Sequence, residues 1–382
     1  MTNHQEAAWT LPVYAQLDIE PVGGEGPWLD LADGRRLLDF YGGHAVASLG
    51  YGHPRLAEAI SGQVRRLSFQ SNLLPLGLRA RACEALARFA PPGLDRVFLV
   101  NSGAEANENA LKIAFSRTGR TRVVAVEGAF HGRTAAAAAV TWGSEAWYGF
   151  PAKPFEVTFV PRDQPGALAR AVREDTAAVI LEPVQGVAGA VDLPPAFVEA
   201  ARKATRAAGA MLVFDEVQCG MGRTGRPFAA DHFGVTPDLL TTAKGLAGGF
   251  PAGALITTDA VARDLKPGEL GTTFGGGPMA CAAIEAVIAT IHDEGLLERV
   301  RALSALIRQT CVTGPVTGVQ GAGFLLGLVC SRPAKAVQAE LLGHGILAGT
   351  SADPRVLRLL PPLILEPDHV ALLAKALAEI PS

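Results

Sequence analysis

The sequence predicts an α/β protein, with a mainly parallel, doubly wound sheet in a large domain and a smaller α+β domain formed from the two termini. Short apolar runs, rich in β-branched residues, are continuous rather than alternating, which indicates strands buried on both faces. Helical stretches lie between several of these runs, as right-handed crossovers require. The character of the sequence changes after about residue 277. The predicted strands are residues 96–100, 122–126, 156–160, 177–182, 211–215 and 253–258.

Residues 1–45 form the first predicted unit, an N-terminal segment that packs with the small domain. This segment is rich in Gly, Pro and Trp, and A-D-G at residues 32–34 is typical of a hairpin turn. Residues 46–277 form the predicted large α/β domain. Within it we expect a helix that starts near Ser102, a tightly packed helix over Ala135–Ala139 and a crossover helix over Pro195–Ala208.

Residues 278–382 form the predicted small α+β domain. A long helical stretch occupies residues 279–310, and short strand signals follow at residues 323–330 and 356–360. These short strands after long helices are the reason for assigning a separate, mixed unit to this part of the chain.

Composition and charge narrow the class of protein. Apolar residues make up 49% of the 382 residues and charged residues 19%, which is typical of a globular chain. The formal net charge is −3 and no block of like charge stands out, so we expect neither nucleic acid nor a membrane surface as a partner. The N-terminal sequence lacks the pattern of a secretion signal, and no run of about 18 apolar residues predicts a membrane span.

The cysteines argue against a disulfide framework. They are odd in number, far apart and never arranged as C-x-x-C, so we also expect no structural metal site. A reducing cytoplasm is the expected location. The five positions are Cys83, Cys219, Cys281, Cys311 and Cys330.

The first candidate site is the small-residue turn N-S-G-A-E, where a strand runs into a helix. Free backbone N–H groups at a helix N-terminus favour an anion, and Gly103 and Ala104 leave room for a phosphate. The competing interpretation is a capping box between Ser102 and Glu105 that only starts the helix. The residues alone do not separate these two interpretations.

The second candidate is Asp215, which ends the apolar run M-L-V-F-D and precedes Glu216. Ligands of open α/β sheets bind at the carboxyl ends of the strands, so an acid at this place faces the usual site. A carboxylate beside a pyridine nitrogen keeps that ring protonated, and a pyridinium ring is the electron sink that carbanion chemistry needs. The competing interpretation is a helix cap or a surface acid.

The third candidate is Lys244, which lies between a strand and a glycine-rich turn in P-D-L-L-T-T-A-K-G-L-A-G-G-F-P. A lysine in apolar surroundings has a lowered pKa and becomes a nucleophile for a carbonyl, as Schiff-base catalysis requires. Most lysines are solvated, which is the competing interpretation. The neighbours of Lys244 are Thr, Ala and Gly rather than charged residues.

One motif points to a different cofactor. G-M-G-R-T-G at residues 220–225 satisfies the dinucleotide-binding pattern G-x-G-x-x-G after a strand. Pro227 and an irregular stretch follow where that fold needs a helix. We therefore expect a tight loop packed near the site.

Together these segments resemble the class-III, fold-type-I aminotransferases that depend on pyridoxal 5'-phosphate (PLP), in particular the acetylornithine and succinylornithine aminotransferases. The resemblance extends over nearly the whole chain, and its motifs are highly specific in this order and spacing. The segments that carry it are Y-G-G-H-A-V-A-S-L-G-Y-G-H-P (41–54), N-S-G-A-E-A-N-E-N-A-L-K (101–112), F-H-G-R-T (130–134), L-E-P-V-Q-G (181–186), F-D-E-V-Q-C-G-M-G-R-T-G (214–225), A-K-G-L-A-G-G-F-P (243–251), G-T-T-F-G-G-G-P (271–278) and L-R-L-L-P-P-L (357–363).

The resemblance implies a PLP site in which Lys244 is the Schiff-base lysine and Asp215 holds the ring nitrogen protonated. These two residues would be catalytic. Phe130 would stack on the pyridine ring, and Gln218 would lie near the ring hydroxyl. The other implied contacts to the cofactor, at its phosphate or around its ring, are Ser102, Gly103, Ala104, His131 and Glu182.

The resemblance also implies a homodimer with shared active sites, because Thr273 would reach the phosphate of the cofactor in the neighbouring subunit. Arg133 would hold the far carboxylate of the amino donor, and Arg358 the α-carboxylate of glutamate or 2-oxoglutarate, since planar guanidinium groups bind carboxylates bidentately. Asn72 is a further implied substrate contact. Outside the family pattern each arginine would be interpreted as part of a surface ion pair.

Two positions depart from the family pattern. Many members have Q-G-E-G-G where this chain has Q-G-V-A-G, so Val187 replaces a glutamate thought to neutralise Arg358 in the amine half-reaction. Gly277 stands where G-G-N-P is usual, and the sequence does not explain that change. The Q-G-V sequence resembles that of the subgroup that acts on N-succinyl- or N-acetylornithine.

The implied reaction moves the δ-amino group of an N-acylornithine to 2-oxoglutarate, giving a semialdehyde and glutamate in arginine biosynthesis. Three alternatives stay open. In the first, the donor is another ω-amine, such as ornithine, 4-aminobutyrate, a diamine or the carrier-linked lysine of the aminoadipate route. In the second, the chain is a mutase that acts on glutamate semialdehyde. In the third, it is a catalytically inert PLP-binding protein.

Overall fold

The structure is a computed structural model that describes residues 6–382. The first five residues, which open the predicted N-terminal segment and the stretch without a secretion signal, lie outside the described residues. The strands are β1 (Pro21–Glu25), β2 (Trp28–Leu31), β3 (Arg36–Asp39), β4 (Arg96–Val100), β5 (Arg122–Val126), β6 (Glu156–Val160), β7 (Thr176–Leu181), β8 (Val184–Gln185), β9 (Val191–Asp192), β10 (Met211–Asp215), β11 (Leu239–Thr242), β12 (Gly253–Thr257), β13 (Val316–Ala322), β14 (Leu325–Cys330), β15 (Ile346–Leu347), β16 (Gly349–Thr350) and β17 (Val356–Leu359).

Most helices begin at, or directly after, a Pro, Ser or Gly. They are α1 (Gly42–Ala45), α2 (Pro54–Arg66), α3 (Gly77–Phe89), α4 (Gly103–Thr118), α5 (Ala135–Ala139), α6 (Pro165–Ala171), α7 (Pro195–Ala208), α8 (Asp259–Ala262), α9 (Pro278–Asp293), α10 (Leu296–Thr310), α11 (Ala334–Gly343) and α12 (Pro367–Glu379). The predicted helices at α4, α5 and α7 are confirmed.

The central sheet has the strand order β4-β12-β11-β10-β7-β5-β6. The strands from β11 to β6 are parallel, whereas β12 is antiparallel to both of its neighbours. This arrangement confirms the predicted mainly parallel sheet. The apolar runs predicted as strands coincide with β4, β5, β6 and β10, and differ by one residue at the ends of β7 and β12.

Helices cover both faces of this sheet, as a doubly wound fold requires. Successive residues of β7 point to opposite faces. Leu181 lies in an apolar cluster with Phe197 of α7, whereas Ile180 lies in another cluster with Leu111 and Ile113 of α4. Burial on both sides is the physical reason that the strand is continuously apolar.

The two ends of the chain meet in a second sheet. Strands β1, β2 and β3 are antiparallel, and β15 of the C-terminal part pairs with β3 in parallel, with Ile346 opposite Leu38. The turn predicted at residues 32–34 joins β2 to β3 and is closed by a hydrogen bond from Gly34 N to Leu31 O. Strands β13, β14, β17 and β16 form a third, antiparallel sheet.

The stretch predicted as one helical region over residues 279–310 is two helices. Gly295 has φ 62°, in the left-handed region that favours glycine, and it separates α9 from α10. Leu56 of α2 and Val287 of α9 belong to the same apolar core, which therefore crosses the predicted domain limit at residue 277. The limits at residues 45 and 277 remain a proposal, supported by the pairing of β3 with β15.

Among residues 6–382, no helix is long and apolar enough to span a membrane.

Candidate active site

A cavity of about 450 Å³ opens at the carboxyl end of β10, beside the N-terminus of α4. Strand ends of a parallel sheet are the usual place for a ligand, because loops and helix N-termini converge there. The cavity brings together most of the residues that the sequence predicts for the site. These are Ser102, Gly103, Ala104, Phe130, His131, Arg133, Glu182, Asp215, Gln218 and Lys244.

The start of α4 offers an anion site. Ser102 caps the helix, and its hydroxyl accepts a hydrogen bond of 3.2 Å from Glu105 N. The Glu105 carboxylate accepts from Asn101 N rather than from Ser102 N, so the reciprocal capping box is not formed. The N–H groups of Gly103 and Ala104 have no intrahelical acceptor at this position and line the cavity.

Glycine is required at the first position of that helix. A Cβ atom on Gly103 would lie 2.7 Å from Cγ1 of Val217, closer than real Cβ contacts. The main chain of α4 therefore approaches the end of β10 closely enough to bring its free N–H groups to the cavity. A helix N-terminus with bare N–H groups is a suitable place for the phosphate of PLP.

Asp215 is the last residue of β10 and is buried. Its Oδ1 accepts from Val217 N at 3.0 Å, and its Oδ2 accepts from Asn107 Nδ2 at 2.7 Å. The same Oδ2 lies 2.7 Å from His131 Nδ1, so the ring donates at that nitrogen. Asp215 is therefore a hydrogen-bond acceptor held in one orientation.

Two buried polar atoms at the cavity lack a partner among the described residues. They are His131 Nε2 and Gln218 Oε1. Buried polar groups are nearly always hydrogen-bonded, so such atoms on a cavity wall indicate a polar ligand. A Cβ on Gly186 would lie 1.6 Å from Gln218 Oε1, which shows that the chain leaves this space to the glutamine. The donor and acceptor set fits a pyridine ring with its hydroxyl and nitrogen.

Lys244 lies across the cavity in a 3₁₀ helix, Lys244–Ala247, directly after β11. Its φ is 47°, a strained value for a residue with a side chain. Burial lowers the pKa of the amine, although the charges of Asp215 and Glu182 act in the opposite direction. An amine with a lowered pKa is a nucleophile at neutral pH.

Glu182 follows β7 and is buried next to these groups. Its Oε1 accepts from Phe130 N at 2.8 Å, which fixes the main chain of the residue predicted to stack on the ring. Burial, and then the charge of Asp215, raise the pKa of Glu182 to about 7. Glu182 therefore positions the cavity wall and carries a proton near neutral pH.

Two arginines near the cavity have no carboxylate partner among residues 6–382. Arg133 is exposed at the cavity, with its Cζ 4.4 Å from the centre of the Trp147 ring. Arg358 is buried in β17 and donates to the carbonyl oxygens of Thr350 and Gly186 at 2.7 and 3.3 Å. Burial lowers the pKa of Arg358. A guanidinium without a carboxylate is available to an anionic substrate.

Arg358 is not among the residues that line the cavity, and two further predicted contacts, Thr273 and Asn72, also lie outside it in the single chain. Thr273 is exposed, in a loop that lines a separate small cavity with Asn101 and Glu105. The Asn72 amide donates to the carbonyl oxygens of Thr272 and Gly275, at 3.3 and 3.2 Å. Asn72 therefore holds the loop that carries Thr273.

Three residues beside the site were not predicted from the sequence: Asn107, Thr241 and Trp147. Asn107 accepts a hydrogen bond of 2.6 Å from the hydroxyl of Thr241 while donating to Asp215. A polar residue on the apolar face of α4, between Ala106 and Ala110, is the signal that would have revealed it. No comparable signal marks Trp147.

The glycine-rich motif at residues 220–225 forms a turn-rich loop. The only regular structure in the stretch that follows it, up to β11, is the short 3₁₀ helix Ala229–His232. The loop packs on Leu297 and Leu363. A Cβ atom on Gly222 would lie only 3.2 Å from each of these side chains. The helix that a dinucleotide site needs does not follow this loop.

The fold and the site together define a PLP-dependent enzyme with a lysine nucleophile and a carboxylate for the ring nitrogen. The profile of the family described as "Aminotransferase class-III" matches residues 13–380. The chain belongs to the class-III aminotransferases, and the predicted family, cofactor and enzyme class are confirmed.

Relatives agree over nearly the full length. An acetylornithine aminotransferase of Streptomyces coelicolor is 47% identical over 368 residues, covering 94% of this chain and 90% of that protein. The structure of ornithine aminotransferase from Toxoplasma gondii, with partial occupancy of PLP, superposes with a TM-score of 0.92 at 29% identity, covering 99% of this chain and 94% of the other. An acetylornithine aminotransferase of Elizabethkingia anophelis gives a TM-score of 0.85 at 26% identity, covering 99% and 98%.

Proposed function

We propose that this aminotransferase moves the δ-amino group of N-acetylornithine or N-succinylornithine to 2-oxoglutarate, giving the N-acylglutamate semialdehyde and glutamate. The observation that carries the proposal is the pair Arg133 and Arg358, two guanidinium groups near Lys244 that lack carboxylate partners among the described residues. The acylornithine has its α-carboxylate far from the reacting carbon, whereas glutamate has one carboxylate next to that carbon and one further away, so two guanidinium groups can serve both substrates. The acetylornithine aminotransferases among the relatives support the same donor.

When bound, PLP supplies the carbonyl that accepts an amino group and the ring that takes up negative charge. We assign its phosphate to the N–H groups of Gly103 and Ala104, and its ring to the wall formed by Phe130. Asp215 would keep a proton on the ring nitrogen, because a negative carboxylate beside that nitrogen stabilises the positively charged, protonated ring. Gln218 would hold the ring hydroxyl.

Lys244 moves the proton at the amine-bearing carbon of the substrate. Its amine has a pKa lowered by burial, which places it closer to the value that efficient proton transfer needs at neutral pH. Glu182 keeps the main chain of Phe130 in place through a hydrogen bond of 2.8 Å. These roles remain proposals for the individual residues.

The two arginines divide the substrates between them. Arg133, at the open side of the cavity, would hold the α-carboxylate of the acylornithine, far from its δ-amine. Arg358, buried beside Gly186, would hold the α-carboxylate of glutamate or 2-oxoglutarate. Val187, the residue after Gly186, has no charge, so this position offers no carboxylate to neutralise Arg358 in the donor half-reaction.

The shared active site is also part of the proposal. Thr273 is exposed, and Phe274 beside it is 66% exposed and contacts Phe69. Leu73, next to the Asn72 that holds this loop, is 87% exposed. A second copy of the chain that covers these apolar side chains would bring Thr273 to the phosphate bound by its partner.

The five cysteines are free, which supports a reducing cytoplasm as the location.

The test is single-turnover absorbance of the PLP-loaded protein mixed with N-acetylornithine, N-succinylornithine, ornithine, 4-aminobutyrate or glutamate. Rapid loss of the visible cofactor absorbance with an acylornithine and with glutamate supports the proposal and identifies the acyl group. Conversion by ornithine alone, or by glutamate alone, contradicts it. In the second case carrier-linked lysine becomes the donor to test.

A further inference from the structure

Arg133 is an unusual arginine, because it is exposed and yet ordered by an aromatic ring rather than by an acid. Its Cζ lies 4.4 Å from the centre of the Trp147 ring and 6.0 Å from that of Phe130. The first distance is that of a close cation–π contact. No carboxylate among residues 6–382 pairs with Arg133.

The segment that carries Trp147 is fastened to the segment that carries Arg133. The hydroxyl of Tyr148 donates a hydrogen bond of 3.0 Å to Ala135 O, at the start of α5 and two residues beyond Arg133. Trp147 N donates to Ser144 O, which closes the short 3₁₀ turn before the indole. These two bonds hold the main chain that carries the indole beside the segment of Arg133.

Stacking leaves the donor groups of the arginine free. The face of a guanidinium group contacts the ring, whereas its N–H groups point outward in the plane. Long arginine side chains otherwise sample many rotamers, which weakens any bond they form with a ligand. A stacked guanidinium is already oriented for a bidentate bond to a carboxylate.

We propose that Trp147 is a positioning residue for donor specificity, which orients Arg133 to bind the α-carboxylate of the amino donor. The inference rests on the proposed function, because it concerns the anion that Arg133 holds. Trp147 acts through Arg133 on the far carboxylate of the amino donor, whereas Arg358 holds the α-carboxylate of glutamate.

The test compares Trp147→Leu, Trp147→Phe and Trp142→Leu in single-turnover half-reactions of the PLP-loaded enzyme. Trp142 is a matched control, since it lies in the same segment but contacts Phe159 rather than Arg133. We expect Trp147→Leu to raise the half-saturating concentration of acylornithine roughly 3- to 30-fold, the range of a cation–π contact. The rate at saturation should stay within about twofold, because only uniform binding is lost.

Trp147→Phe should restore most of the donor affinity, because it keeps an aromatic face. Trp142→Leu should leave both half-reactions unchanged. An unchanged donor affinity in Trp147→Leu, or an equal loss of donor affinity in Trp142→Leu, would overturn the inference. Failure of the proposed function would instead appear in the wild-type enzyme, as an absence of conversion by any acylornithine.

A second readout does not depend on the donor. Phenylglyoxal modifies arginines, and peptide mass spectrometry reports the modification at Arg133. Without the indole we expect several-fold faster labelling of Arg133 in Trp147→Leu, and no change in Trp142→Leu. Equal labelling rates in the wild type and Trp147→Leu would show that the indole does not hold the guanidinium, and would overturn the inference whatever the donor.

Discussion

The side-chain amide of Asn107 donates a hydrogen bond of 2.7 Å to Oδ2 of Asp215, and both groups are buried. Asn107 also donates to His131 O and accepts from Thr241, so its amide joins three segments around one carboxylate. The carboxylate that we assign to the ring nitrogen therefore has an orientation set by α4 and β11. Its own strand does not fix it alone.

Asn107→Ala should lower both stability and cofactor affinity. The substitution leaves the Thr241 hydroxyl and part of Asp215 without partners, which costs about 1 to 3 kcal/mol of unfolding free energy for each buried group. Urea unfolding and the dissociation constant of PLP measure the two effects. Asn109→Ala is the control, because Asn109 bonds only to Glu105 O, on the same helix. Equal effects of the two substitutions would contradict the assignment.

Lys244→Ala should abolish transamination while leaving the fold intact. Removal of the amine eliminates both the nucleophile and the proton carrier, so turnover should fall by roughly a thousandfold or more. The visible absorbance of the bound cofactor should change as well. Lys203→Ala, in which an exposed lysine of α7 is removed, should match the wild type. Unchanged cofactor absorbance in Lys244→Ala would show that another residue holds PLP.

The pKa of Glu182 makes the stability of the cofactor-free protein depend on pH. The pKa rises from 4.5 to about 7 on folding, so between these values the native state holds a proton that the unfolded state has lost. Stability from this group is therefore complete below pH 4.5 and is lost as the pH rises through about 7.

Glu182→Gln should remove that part of the pH dependence. The difference in urea midpoint between variant and wild type should grow in favour of the variant from pH 5 to pH 8. The exposed substitution Glu199→Gln is the control and should show a constant difference. A difference that does not change with pH would contradict the raised pKa of Glu182.

The sequence predicted the strands of the central sheet because their apolar runs are long and uninterrupted. It did not predict β13, because the two glycines of V-T-G-V-Q-G-A lower the preference of this segment for a strand. Pairing with β14 supplies the stability that the local sequence lacks. The glycine at residue 295 was inside a predicted helical stretch and in fact ends one helix. Short-range propensity does not reveal which glycine adopts a left-handed conformation.

Much of the site was also predicted from the sequence, because Asp215 and Lys244 follow strands whose carboxyl ends converge. The partners of Asp215 were not, since they depend on contacts between distant segments. Asn107 and Asp215 are 108 residues apart, and they meet only because α4 packs across β10 and β11. The stacking of Trp147 on Arg133 likewise depends on a turn that no motif marks.

Arg358→Lys should impair the glutamate half-reaction more than the acylornithine half-reaction. Lysine keeps the charge but loses the planar pair of N–H donors that binds a carboxylate bidentately. Loss of one charged hydrogen bond corresponds to roughly a 10- to 100-fold weaker binding of glutamate. Single-turnover absorbance measures each half-reaction. Arg355→Lys, which alters an exposed bond to Ser331 O, is the control. An equal loss for both substrates would contradict the division of roles.

Hybrids of the proposed homodimer test which active site Thr273 serves. In the first hybrid, a wild-type subunit pairs with a subunit that carries both Lys244→Ala and Thr273→Ala. The working site is the one that keeps Lys244, and residue 273 of its partner is altered. In the second hybrid, a Thr273→Ala subunit pairs with a Lys244→Ala subunit. The site that keeps Lys244 then has an intact Thr273 in its partner. Since Thr273 is exposed and lies outside the cavity of its own chain, we expect PLP affinity at the working site to fall about tenfold or more in the first hybrid only. The reverse pattern would place Thr273 at its own subunit's cofactor, and equal affinities would remove it from the site.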